Sequence, residues 1–155
     1  MLKKMSLLIL LVFCFYTSAE QFVVQGPYIL KGEINSSIEF IKNKDESISL
    51  RSSVNGVKKD IDLYEVGDGS PKIETVFFDK IKNRRKLIVL VSWDEENISS
   101  IHYKVNVYNY SAGGILEKDD FLSKDKNLEG YDGYSGNGMI FNLKNASAIK
   151  NYLHK

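Results

Sequence analysis

The chain has 155 residues, 43% of them apolar and 26% charged, which are the proportions of one ordinary globular domain and exclude a collagen-like, disordered or multi-span membrane protein. Its 21 basic side chains against 20 acidic ones leave no cationic excess, which excludes nucleic acid as the expected partner.

Residues 1–19 read as a secretory signal. Lys3 and Lys4 form a basic start, residues 5–16 an apolar run, and Thr17-Ser18-Ala19 a small-residue site that predicts cleavage after Ala19. An apolar helix of that length reaches about 18 Å, short of the roughly 30 Å hydrocarbon core, so no integral membrane span is expected. Cys14, the only cysteine, follows the bulky Phe13, where a lipid-attachment signal carries a small residue, so cleavage without lipidation is expected. Residues 20–155 are then one cysteine-free domain, periplasmic or secreted, held by its core and not by disulfides.

Residues 28–34 and 38–41 are predicted strands, joined by a polar turn at Asn35, Ser36 and Ser37. The clearest local signal follows. Ile48, Leu50, Ser52 and Val54 alternate with polar residues, then comes Asn55-Gly56, then Val57, Lys59, Ile61 and Leu63 alternate again. Asn-Gly suits the two positive-φ positions of a type I′ turn, so this segment is a β-hairpin.

Beyond the turn cluster at residues 67–71, two strands are predicted at 73–81 and 87–93. The second, beginning Leu87-Ile88-Val89-Leu90-Val91, is apolar on both faces, which makes it a central strand with a cover on each side. Residues 99–110 alternate, with Ile101, Tyr103, Val105 and Val107 on one face and His102, Lys104, Asn106 and Tyr108 on the other. A short strand is predicted at 139–143. The closing helix has Asn145 as N-cap, Ile149 and Leu153 as its apolar stripe, and Lys150, His154 and Lys155 against the negative end of its dipole. Too short to persist alone, it must dock on the sheet and is the expected cover for one face of the central strand. The fold class is α+β, mainly β: a single antiparallel sheet or meander of about six to eight strands with a C-terminal helix packed on it.

Groups able to do chemistry are sparse. With Cys14 removed and only His102 and His154 present, thiol catalysis and the common zinc clusters lack their ligands, and neither a metal site nor a cofactor is expected, a carboxylate-only metal site being the alternative. Gly133-Tyr134-Ser135-Gly136-Asn137 approaches a nucleophile elbow, but its last position is not glycine and a strand, not a helix, is predicted to follow. Asp119-Asp120 and Asp94-Glu95-Glu96 are the acid groups that keep a carboxylate-dependent hydrolase as an alternative reading.

Residues 130–138 place four glycines and two tyrosines in nine positions. Tyrosine offers large contact area with few rotamers to freeze, so a protruding recognition loop is expected, with Tyr131 and Tyr134 as anchors, Asp132 as charge partner and Asn137 beside them. The alternative is a wide connection whose tyrosines fold back on the sheet. A second candidate surface is the polar-aromatic strand face of His102, Lys104, Tyr108 and Tyr110.

Residues 76–93, with Asp79 in Phe77-Phe78-Asp79-Lys80 and the apolar run ending at Trp93, resemble one FG-GAP-type strand-loop-strand unit. Such units bind calcium through alternating Asp or Asn. Here Ile81, Asn83 and Arg84 follow Asp79, so the resemblance implies the strand-loop-strand and no calcium. The layout as a whole, with its signal, compact sheet, Tyr-rich strand, Gly-rich loop and capped C-terminal helix, resembles exported bacterial immunity-type proteins that protect cells against secreted toxins. That resemblance implies a non-enzymatic periplasmic binding protein whose partner is a secreted toxin or hydrolase, occluded at its active site. A structural or adhesive envelope module is the remaining alternative.

Overall fold

The computed structural model describes residues 22–33, 35–133 and 138–155, so the predicted signal, Cys14, Tyr134 and Asn137 lie outside the described residues. Four strands form a first antiparallel meander: β1 (Phe22–Ile29), β2 (Ser36–Lys42), β3 (Ile48–Val54) and β4 (Val57–Tyr64). The second sheet holds β5 (Lys72–Ile81), β6 (Arg84–Glu95), β7 (Ser100–Tyr110), β8 (Leu116–Lys118) and β9 (Glu129–Gly133), and α1 (Ala146–Leu153) closes the chain. β7 is long enough to carry two partners on its outer edge. β9 pairs with residues 100–104 and β8 with residues 108–110, leaving residues 105–107 between them.

The mainly β character with a C-terminal helix is as expected, but the strands make two sheets rather than the single sheet of six to eight. The first meander hides only one face, and that sheet is itself one of the two covers that β6 requires. Leu87, Val89, Val91 and Trp93 of β6 pack against Ile38, Phe40, Ile48, Leu50 and Tyr64 of the first sheet. Ile88 and Leu90, on the other face, pack with Val105, Val107, Phe141, Ile149 and Leu153. The result is three layers, sheet on sheet on helix.

Local chemistry explains most element ends. Asn55 and Gly56 adopt φ 50° and 81°, as a type I′ hairpin needs, and Lys82 and Asn83 turn β5 into β6 with φ 46° and 63°. Residues 76–93 accordingly lie in a tight hairpin whose apolar strand starts at Arg84. Asn145 Oδ1 accepts the Ala148 amide at 2.9 Å, capping α1, and Ile149 and Leu153 are buried under it.

Three boundaries differ from expectation. The first strand ends at Ile29, Gly32 and Asn35 have positive φ beyond it, and Leu30 is pulled into the core. On β4 the ladder slips one residue, Leu50 facing Asp62 and Arg51 facing Asp60, so Tyr64 turns inward and Leu63 outward. The strand expected at 139–143 reduces to one bridge between Gly133 and Met139, while β9 occupies part of the expected glycine loop. Two glycines there serve close packing. A Cβ on Gly130 would stand 2.9 Å from the Phe141 ring, and one on Gly133 would stand 2.9 Å from the Ser100 backbone.

Beside the helix layer, Lys86 donates to Asp119 and Asn109, both ion-pair partners being almost wholly buried. Asp119 also accepts the amides of Phe121 and Leu122 at 3.1 and 3.0 Å. Burial pushes the Asp119 carboxyl up, but the Leu122 amide and the Lys86 ammonium outweigh it and hold the group below the usual aspartate range. A carboxyl depressed by folding stabilises the native state above its unfolded value and stops doing so as pH falls through its folded value. Stability measured in urea should therefore be level from pH 7 down to about pH 4.5 and fall below about pH 4. A flat profile down to pH 2.5 would contradict this.

Candidate functional site

The slipped β4 and the even-numbered face of β7 bound a cleft of about 320 Å³. Its floor carries His102, Lys104 and Asn106, one wall is residues 62–67, and Glu129 and Lys118 stand opposite. The alternation of β7 puts these side chains in one row, and the row continues inward to Tyr108 and Tyr110, which are buried between the sheets. Strand pairing then sets Trp93 beside His102 from β6 and Tyr131 beside it from β9.

His102 is the centre of a three-ring stack. Its ring lies 5.2 Å from that of Trp93 at 29° and 4.7 Å from that of Tyr131 at 19°. His102 Nε2 is 3.0 Å from Glu129 Oε1, and because a carboxylate only accepts, that nitrogen carries the proton; Nδ1 lies 3.8 Å from Glu95. Lys104 Nζ donates to the other oxygen of Glu129 at 2.8 Å. Burial raises the Glu129 carboxyl, yet the Lys104 hydrogen bond and charge, together with His102, bring it below the usual glutamate range. It is ionised at neutral pH, which suits it to holding the imidazole and not to donating a proton as a general acid. Trp93 is fixed in turn, its indole N–H donating to the Glu65 carbonyl at 2.8 Å.

At the inner end of the cleft a hydrogen-bonded chain joins the two sheets. The Tyr108 hydroxyl donates to Asp62 Oδ2 at 2.7 Å, so the Tyr64 hydroxyl, 2.8 Å away, donates to Tyr108. Lys118 Nζ donates to the same Asp62 oxygen at 2.7 Å, and Asp62 Oδ1 takes the Leu63 amide at 3.0 Å. Burial pushes both phenols far above the usual tyrosine range, so they stay protonated donors.

Of the expected site residues, the structure brings together His102 and Tyr131, which the sequence assigns to two separate surfaces. Tyr108 is wholly buried and stands beneath the surface, not on it. Asp132 lies on the opposite face of β9 from Tyr131 and pairs with Lys144 at 2.5 Å, so the two do not form one patch. Trp93, Glu129 and Lys118 join the site without having been singled out. Alternation on β7 flags the row, but their approach depends on strand pairings that have no local signature. Among the described residues no group of three or more His, Cys, Asp or Glu side chains is arranged to hold a metal ion, and no helix is long and apolar enough to cross a membrane. No protein-family model matches the chain, and no curated protein or solved structure matches it significantly.

Proposed function

We propose that the chain is an exported binding protein of the immunity or inhibitor type, released to the periplasm or beyond by cleavage after Ala19, which neutralises a secreted toxin or hydrolase by covering its active site. The observation that carries this reading is the Trp93–His102–Tyr131 stack. It is a rigid aromatic anchor at a cleft edge, immobilised by Glu129 and the Glu65 carbonyl and flanked by charges of both signs. Recognition sites gain affinity from rigid aromatic anchors, because little side-chain entropy remains to be lost on binding. Tyr131 is 37% exposed at the outer end of the stack and is the side chain a partner meets first. Exclusion is then steric, with Lys104, Glu95 and Glu129 setting the electrostatic fit.

The experiment is to isolate the chain from the periplasm, identify proteins present in equal amount, and measure survival of cells when such a companion is produced with and without it. Tyr131→Ala is expected to weaken the complex by tenfold or more and to reduce survival, leaving the melting temperature within a few degrees of the parent. A purified chain that binds no secreted protein, or that itself hydrolyses cell-envelope material, would overturn the reading.

A further inference from the structure

The tight turn between β5 and β6 sets Ile81 directly opposite Arg84 on the face that carries the helix, and alternation continues that face of β6 to the buried Lys86 and Ile88. A separate cavity of about 320 Å³ opens there and shares no lining residue with the His102 cleft. Ile81 and Leu153, both buried, and half-buried Leu122 give it an apolar floor. Phe121, which is 79% exposed, stands at its rim, as do Lys82 and Arg84 on the hairpin side.

Three cations and one carboxylate line this cavity. The carboxylate, Asp119, is already taken by the Lys86 ammonium and by the amides of Phe121 and Leu122. Neither Lys82 nor Arg84 has a side-chain hydrogen bond or ion pair among the described residues, so their two charges are uncompensated. Asp79, on the same face of β5 as Ile81, is held by His154 Nε2 at 3.0 Å, and Asp120 is exposed outside the lining. By holding two amides Asp119 also sets the turn that carries Phe121, so the rim is in place before anything binds. The negative end of the α1 dipole lies at Leu153, which leaves the hairpin side as the place for an anion.

We propose that this cavity binds a single-chain amphiphile with one anionic head, its alkyl chain lying on Ile81, Leu122 and Leu153 beside Phe121 and its carboxylate or phosphate held by Arg84 and Lys82. A purely apolar ligand gains nothing from the two cations, and a small inorganic anion gains nothing from the apolar floor. A molecule with both parts gains from each, and the planar fork of Arg84 matches a carboxylate or phosphate through two parallel hydrogen bonds. The volume is at the lower end of the range for small-molecule pockets, which suits one chain and not a helix or strand of a partner. The site is separate from the Tyr131 surface and does not depend on the protein-binding reading above.

The purified chain, with isotope-labelled methyl groups, is titrated with decanoate and decyl phosphate below their micelle-forming concentrations, and with acetate and decyltrimethylammonium as controls. Decanoate, decyl phosphate or both should shift the Ile81 and Leu153 methyl resonances saturably, the tighter of the two naming the head. Acetate should give no saturable shift, and the cationic amphiphile should bind roughly tenfold more weakly. Lys82→Gln combined with Arg84→Gln should weaken binding of the anionic amphiphile about tenfold, and Phe121→Ala about fivefold. All three side chains are exposed, so the melting temperatures of these variants should stay within a few degrees of the parent. Tyr131→Ala should leave this binding unchanged, so that failure here and failure of the partner reading are told apart. Equal binding of the cationic amphiphile, saturable shifts from acetate, no saturable response to either anionic amphiphile, or unchanged affinity in the double variant would each overturn the assignment. Sedimentation with phosphatidylglycerol vesicles without any response to the soluble amphiphiles would overturn it too, in favour of a face that meets a membrane.

Discussion

Asp119→Ala is expected to lower stability by about 3–5 kcal/mol, because it leaves the Lys86 ammonium buried with one neutral acceptor, Asn109. The substitution also strips the acceptor from the Phe121 and Leu122 amides, loosening the turn that carries Leu122 against the helix layer. Urea unfolding of the two proteins measures the difference, and a loss below about 1 kcal/mol would show that Lys86 finds water in the variant. The pair need not be a net stabiliser. Lys86→Met combined with Asp119→Leu removes both charges and should recover most of the loss, since burying an unpaired ion is costly whereas replacing a buried pair with apolar groups is often neutral. Asp119→Asn is the useful intermediate: it keeps an oxygen for the two amides but gives up the charge.

Tyr108→Phe should cost about 2–3 kcal/mol although it removes a single oxygen atom. That hydroxyl donates to Asp62 and accepts from Tyr64, so its loss leaves one buried phenol without an acceptor and deprives a carboxylate of one donor. For a domain of this size the expected fall in melting temperature is roughly 4–12 °C. Tyr64→Phe, which ends the chain of donors without orphaning Asp62, should cost less. If the two variants are equally destabilised, the direction of donation argued above is wrong. Because Asp62 belongs to β4 and Tyr108 to β7, the network ties the two sheets at the inner end of the cleft, and its loss should also broaden the resonances of the cleft residues.

Much of the architecture was readable along the chain. Hairpin turns at Asn55-Gly56, the amphipathic β7, the two-faced apolar β6 and the capped helix all rest on contacts between near neighbours. The separation into two sheets was not, because β6 shows that something covers each face without saying what. The first meander could have paired edge to edge with β5 or stacked upon it, and the turn cluster at residues 67–71 permits either. Likewise, glycines at 130 and 133 look like flexibility in sequence. Only the nearness of Phe141 and Ser100 reveals them as positions where a side chain does not fit.

The site divides in the same way. Alternation alone put His102, Lys104, Asn106 and Tyr108 on one face, since period two is a property of the extended backbone. Tertiary pairing decided the rest: that Tyr108 is buried while His102 is not, that Tyr131 leaves its glycine-rich neighbours to stack on His102, and that Asn106 falls between two edge strands. A sequence determines which way each side chain points from its own strand, because that is local geometry; which side chains then meet is settled by loop closure and packing between segments far apart in the chain, which leave no periodic trace.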